Sequence, residues 1–285
     1  MQALIAEARK RYHSGLLSNS VLTIDAKGIP SNADSTSKLS VNIAKGIAGR
    51  LMAEVRKKAV GQTVGSKFEQ LNMEFLEATF PRLQNLRPGK WHIAKLGNKN
   101  VIKTSRFAQY EHLDYLNRLT KGDARLAASM GNDYMVAPDV VIYRETESDE
   151  FINADQIVVD DTICGLSDIR KTNGGLPILH ASISAKWTMR SDRSQNSRTE
   201  ALGLIRNRKG HLPHIVVVTA EPLPSRIASL ALGTGDIDCV YHFALYELVE
   251  SVKENEAEDA LEMLNILIKG KRLKDISDLP LDLVV

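Results

Sequence analysis

Apolar residues recur at spacings of three and four through "VNIAKGIAGRLMAEVRKKA" (41–59) and "SKFEQLNMEFLEATFPRLQNL" (66–86), which predicts a mainly helical first third. Between them "KGIPSNADSTSKL" (27–39) is polar, and its Ser, Asn and Asp residues favour turns and helix caps. The period then changes. "YMVAPDVVIYRE" (134–145) is rich in β-branched and aromatic residues and reads as a strand carrying Pro138 and Asp139. "DQIVVDDTIC" (155–164) reads as a second strand. "LPILHASISAKWTM" (176–189) alternates, with Ile183, Ala185 and Trp187 on one face and Ser182, Ser184 and Lys186 on the other. "HIVVVTAEP" (214–222) has the continuous apolar run of a strand covered on both faces. "CVYHFALYELVESVKE" (239–254) reads as a strand running into a helix, and "EDALEMLNILIKG" (258–270) as another helix. Strands interleaved with helices predict an α/β fold around a mixed central β-sheet. No linker or internal repeat interrupts it, so residues 1–285 are read as one domain.

Composition narrows the class. The 285 residues are 43% hydrophobic and 25% charged, which is ordinary for a globular protein with a sizeable core. The net charge is only +2, so an anionic partner must be met by a local patch rather than a global field. Cys164 and Cys239 are too few for a disulfide framework and lack zinc-site spacing, which fits a reducing cytoplasm. The start, "MQALIAEARKRYHSGLL", has no uninterrupted apolar run and reads as no signal peptide, and no stretch approaches the roughly 20 apolar residues that span a bilayer.

Candidate chemistry gathers around one strand and the helix after it. Ser184 and Lys186 project from the same face, about 7 Å apart along the strand. Glu200 falls on the following helix, and Glu69 lies on an earlier one, beside Met73 and Leu76 at i+4 and i+7. Carboxylates such as Asp139, Glu200 and Glu69 converging near a lysine suit metal-assisted phosphoryl chemistry, because Mg²⁺ prefers their oxygens. Each element also has an ordinary reading. A Pro-Asp dipeptide is often a turn, a strand lysine is usually solvated, and Glu200 or Glu69 could be a surface acid paired with a nearby base. The arginines add weight. From Lys186 to Lys209 the chain carries seven cations (Lys186, Arg190, Arg193, Arg198, Arg206, Arg208, Lys209) against Asp192 and Glu200. "RSDR" (190–193) sits at the helix start, where backbone N–H groups also favour anions. Arginine pairs bidentately with guanine and a carboxylate accepts from cytosine, so this cluster could read G·C pairs. The competing reading is a solvated helix end with weak mutual salt bridges.

"PD" (138–139), "SAK" (184–186) and the acid fourteen residues beyond the lysine resemble the PD-(D/E)xK nuclease superfamily. The usual acid two residues before the lysine is replaced by Ser184, and Glu200 takes over from the helix. That swap, followed by "KWTMRSDRSQNSRTE" (186–200), resembles the restriction endonucleases that recognise a CCGG core. The resemblance extends along nearly the whole chain, through "SNADS", "NIAKGIA", "PGK" with "W", "HASIS", "RNRKG", "LPHIVVVTAEP", "SRI", "ALGTG", "CVYHFALYEL" and "GKRLKDISDLPLDL".

The resemblance implies a restriction-endonuclease-like core and a role for each candidate residue. Asp139 binds metal, Lys186 assists the attacking water, and Glu200 and Glu69 complete the acidic set around two Mg²⁺ ions. The family uses the backbone carbonyl at position 185 as a ligand, so Ala185 in place of a relative's Cys is tolerated. Arg190, Asp192 and Arg193 read the inner CCGG. Asp34 and Arg226 serve an outer G·C pair, giving GCCGGC, and Gln62 reaches the minor groove. Cleavage after the first G leaves four-base 5′ extensions with 5′-phosphate, and the assembly is a homotetramer of two back-to-back dimers on double-stranded DNA. The alternative of a different class is a DNA-binding module that has lost catalysis and uses the arginines alone. A structural or recombinase-like DNA enzyme of the same fold is a third. Asp139, Lys186 and Glu200, all present, favour the nuclease, since a pure binder has no use for them.

Overall fold

The apolar run at His214–Thr219 forms an inner strand of a six-stranded sheet, buried on both faces as its composition requires. The computed structural model describes residues 2–56, 61–96, 104–130, 138–189, 191–233 and 235–285. Its strands are β1 (Trp91–Lys95), β2 (Val140–Arg144), β3 (Ile178–Lys186), β4 (His214–Thr219), β5 (Cys239–His242) and β6 (Leu273–Asp275), adjacent in chain order. β1, β2 and β3 pair antiparallel, whereas β3 through β6 run parallel. The sheet is therefore mixed, as the sequence predicts. Parallel neighbours need crossovers, and helices supply them.

Those helices are, in chain order, α1 (Leu4–Ser18), α2 (Lys38–Arg50), α3 (Gly61–Thr79), α4 (His112–Gly122), α5 (Ala124–Met130), α6 (Asp149–Ile152), α7 (Ser191–Asn207), α8 (Pro224–Ala231), α9 (Leu245–Glu254), α10 (Glu258–Lys269) and α11 (Leu279–Asp282). α7 connects β3 to β4, α8 connects β4 to β5, and α9 with α10 lead to β6. Among the described residues, no helix is long and apolar enough to cross a membrane.

Several boundaries depart from the periodicity, each for a local reason. α2 starts at Lys38, where the Ser37 side chain caps the Ser40 N–H, and stops at Arg50 because Met52 takes a positive φ of 58°. α3 gives way at Phe80–Leu83 to a 3₁₀ turn containing Pro81, which has no N–H for an α-helical bond. The strand expected at 155–164 is absent; this stretch is a series of turns. Asn153 Oδ1 accepts the N–H groups of Val158 and Val159, at 2.8 and 3.0 Å, and Asp160 Oδ1 accepts that of Thr162. Short polar side chains have captured donors that a strand ladder would need. Asp139 stands one residue before β2 rather than within it.

Two features of the fold position the site. The carboxyl ends of β1, β3, β4, β5 and β6 lie along one sheet edge, where β2 begins. Across it Lys95 faces Val140, Val140 faces Ile183, Lys186 faces Thr219, Thr219 faces His242, and His242 faces Asp275. Directly after Lys186, the buried Trp187 ring meets Phe68 of α3 edge-on at 5.0 Å and Phe243 at 5.7 Å. Such ring pairs add about 0.5–1.5 kcal/mol each beyond burial, so the chain leaving the strand is pinned. α1 is fastened to the same edge by Arg9, which bonds both Asp275 and Glu247.

Candidate active site and DNA-reading face

Asp139 is carried to the start of β2, and Lys186 to the end of the neighbouring β3. The antiparallel register puts them side by side: Lys186 Nζ donates to Asp139 Oδ2 at 3.2 Å, and the Ala185 N–H donates to the same oxygen at 2.8 Å. The Asp139 and Lys186 side chains are 22% and 16% exposed, so both open toward solvent from a partly desolvated floor. The strand lysine is thus neither freely solvated nor buried.

Ser184 does not face water, as an alternating strand would allow. It is buried under α7, with its Oγ 3.4 Å from Ser197 Oγ and 3.5 Å from Glu200 Oε2. Burial raises the Glu200 carboxyl above its ordinary value; Lys186 opposes that shift, and the like charge of Asp139 adds to it. The carboxyl thus reaches the position above Ser184 that a strand acid would otherwise occupy. Asp139, Lys186 and Glu200 come together as the sequence predicts.

Glu69 is held apart. Its carboxylate pairs with Lys95 Nζ at 2.8 Å, and the same ammonium donates to the Ser66 carbonyl and hydroxyl at 2.7 Å each. Lys95 lies opposite Val140, and the Leu96 N–H bonds the Asp139 carbonyl at 3.0 Å, so this pair flanks the site. Among the described residues, no three His, Cys, Asp or Glu side chains converge closely enough to hold an ion by themselves.

The cations after Lys186 have several different fates. Arg190 lies outside the described residues, as do the side chains of Asp192, Arg193 and Gln62; the backbone of the last three is helical, in α7 and α3. Arg198 is a structural residue. It pairs with Asp236 and donates to the Ser229, Leu230 and Leu232 carbonyls, closing the carboxyl end of α8. Arg208 folds back on the Ile205 carbonyl, while Arg206 and Lys209 are exposed.

Asp34 and Arg226 are 192 residues apart in sequence and are bonded to each other. Arg226, with further bonds from the Thr36 hydroxyl and N–H, holds the Asp34 carboxyl well below the usual carboxylate range. Sequence reading placed both in one role without the pairing. It missed Glu221 entirely. This buried carboxyl follows β4 and accepts the N–H of Met189 at 2.8 Å, and burial pushes it up to about 7. The only signal for it was an acid immediately behind a two-sided apolar strand.

With this geometry in view, relatives give the family. The model of the NgoMIV restriction enzyme family matches residues 12–285. The chain belongs to that family. The type II restriction enzyme NgoMIV of Neisseria gonorrhoeae is 50% identical to it over 286 residues, covering 100% of both chains. The chain is accordingly a type II restriction endonuclease, a site-specific deoxyribonuclease. The mixed six-stranded sheet flanked by helices agrees with the restriction-endonuclease fold.

Proposed function

We propose that this family member cleaves double-stranded DNA at GCCGGC after the first G, with Mg²⁺, from a centre built on Asp139, Lys186 and Glu200. One observation carries the reading. A strand-end lysine bonded to one carboxylate, with a second carboxyl supplied across Ser184, lies next to a segment that leads directly into Arg190, Asp192 and Arg193.

The donors suit a hard cation. Asp139 and Glu200 offer carboxylate oxygens, and the burial that raises Glu200 is the condition a divalent ion relieves. The Ala185 N–H points at Asp139, and in an extended strand the carbonyl of the same residue points to the same side. Asp139, the Ala185 carbonyl and Glu200 would hold Mg²⁺, with two ions per centre in this reading. Glu69 would join once Lys95 releases it, or act through water. Bound there, the metal supplies Lewis acidity at the scissile phosphate. Lys186 orients the attacking water with its ammonium and offsets charge on the phosphorus. Pinned by Trp187, it does so from a fixed height above the sheet edge.

Asp34 and Arg226 form a unit suited to the outer base pair. Together they present a guanidinium for guanine O6 and N7 and an adjacent carboxylate for cytosine N4. Gln62 would add a minor-groove contact. Sequencing the cut termini tests this reading: four-base 5′ extensions with 5′-phosphate at GCCGGC are expected, and ends at another sequence would refute the site.

We extend the proposal to assembly. Two-fold protein symmetry matches a palindrome, and two such dimers back to back make the tetramer. The excursion between β2 and β3 supports it. Arg170–Asp149 ion pairing and the Asn153 bonds order this excursion, yet Ile157 is 85% and Leu166 97% exposed, beside exposed Phe151 and Ile163. A structured surface tipped with apolar side chains fits contact with a second copy of the chain. The double substitution Ile157→Asp with Leu166→Asp should therefore shift the protein from tetramer to dimer by light scattering, and an unchanged tetramer would remove this excursion from the interface. The single one-sheet architecture supports reading residues 1–285 as one domain, and a DNA-cleaving enzyme of this family would act in the cytoplasm, where the DNA is.

The swapped acid gives a further expected result. Glu200→Ala should lose roughly 100-fold or more of cleavage, on the scale of losing a group that supports a bound metal. Ser184→Glu in that background should recover part of it, because the new carboxylate fills the position 3.5 Å away that Glu200 left. Full activity in the single variant would show that the helix acid is dispensable.

A further inference from the structure

The turn leaving β4 touches three parts of the proposed DNA-binding machinery. Thr219 Oγ1 and the Ala220 N–H both donate to the Lys186 carbonyl, at 2.9 and 3.2 Å. Asn32 Nδ2, two residues before Asp34, donates to the Ala220 carbonyl at 2.9 Å. Glu221 makes the third contact. Its Oε2 accepts the N–H of Met189, and its Oε1 accepts that of Leu223 at 3.2 Å and lies 3.8 Å from Arg226 Nη1. The other arm of the same guanidinium holds Asp34.

Met189 is buried and immediately precedes Arg190. Its N–H is thus a buried anchor immediately before the proposed reading segment. A turn needs only a neutral acceptor here, and an amide or hydroxyl would serve without desolvating a carboxyl. The cost makes sense if the ionised form, which predominates above a pH of about 7, does something an amide cannot, and that charge faces Arg226.

We propose that Glu221 is a positioning residue for sequence reading. With one carboxylate it fixes the chain at Met189 relative to the Arg226–Asp34 pair, so that the inner-base and outer-base readers share one register. This rests on the DNA-reading roles proposed for those residues. Glu221 is buried, so in this reading it acts through Met189 and Arg226 and not on DNA directly.

The test compares wild type, Glu221→Gln and Glu221→Ala in metal-free binding to three duplexes: GCCGGC, ACCGGT and a scrambled sequence, at one salt concentration. Thermal unfolding confirms that each protein is folded. Gln keeps an acceptor for the Met189 N–H and loses the charge facing Arg226; Ala loses both. Glu221→Ala should lower both the GCCGGC-to-ACCGGT and the ACCGGT-to-scrambled ratios by roughly 10-fold or more, the scale of one misplaced bidentate contact. Scrambled binding should stay unchanged. Glu221→Gln should restore the second ratio and not the first. If Ala does not fold, the first ratio in Gln alone decides. A folded variant that retains wild-type ratios overturns the proposal while the reading face stands. A wild type that prefers none of the three duplexes overturns the reading face itself, and this inference with it.

Discussion

Asp139→Ala is expected to bind GCCGGC duplex at least as well as wild type without metal and to cut it at least ~1,000-fold more slowly, since Lewis-acid support of phosphoryl chemistry is worth several kcal/mol. The contacts at stake are local. Among the described residues, the Asp139 side chain bonds the Ala185 N–H and the Lys186 ammonium, both neighbours on the same sheet edge. Neither contact supports the core, so the fold should survive. Removing the carboxylate also removes a negative charge beside an incoming phosphate and frees the Lys186 ammonium to meet it. Metal-free affinity should therefore hold or rise. Single-turnover cleavage and metal-free titration on one preparation check both halves. Cleavage within tenfold of wild type would remove Asp139 from the metal site.

Arg193→Ala should separate specific from non-specific binding. A bidentate arginine–guanine contact discriminates by about 1–3 kcal/mol, and two-fold symmetry places two in each site, so the expected loss on GCCGGC is roughly 30-fold to 10⁴-fold. Scrambled DNA, bound through phosphates and sensitive to salt, should be bound nearly as before. Arg198→Ala is the contrast. It lies five positions on in the same cationic run, yet its guanidinium is spent on Asp236 and three carbonyls at the end of α8. Hydrogen bonds to charged groups contribute about 1.5–3 kcal/mol, so that variant should lose thermal stability and keep its sequence preference while folded. Equal losses on both duplexes for Arg193→Ala would make it a backbone clamp.

That contrast shows what the sequence could and could not tell. Strong periodic signals were reliable: the two-sided run of β4, the strand into α9 and the helix α10 all lie where the pattern puts them. The juxtaposition of Asp139, Lys186 and Glu200, the trio proposed for catalysis, was also legible, because strand register and one following helix set it. β1 and β6 were not, since Trp91–Lys95 and Leu273–Asp275 carry no run of β-branched residues to stand out. The apolar stretch at 155–164 misled because local side-chain capture by Asn153 and Asp160 competes with a strand ladder and does not show in the hydrophobic pattern. Charge was the least legible property. Arg198 and Glu69 look like active-site charges in sequence, and each has a partner far along the chain that no spacing rule reveals, while Arg208 folds back on its own turn. Glu221, the carboxyl that joins Met189 to Arg226, was invisible for the same reason.

One short segment is proposed both to cut and to read: Lys186 at the strand end belongs to the same stretch of backbone that leads into Arg190, Asp192 and Arg193. The most direct measurement incubates wild type with two linear duplexes identical except for one inner G·C pair of a single GCCGGC, each with Mg²⁺ and with EDTA. Cleavage of the intact site in Mg²⁺ alone, at one position on each strand, is the predicted result. Cutting in EDTA, or comparable cutting of both duplexes in Mg²⁺, would contradict it.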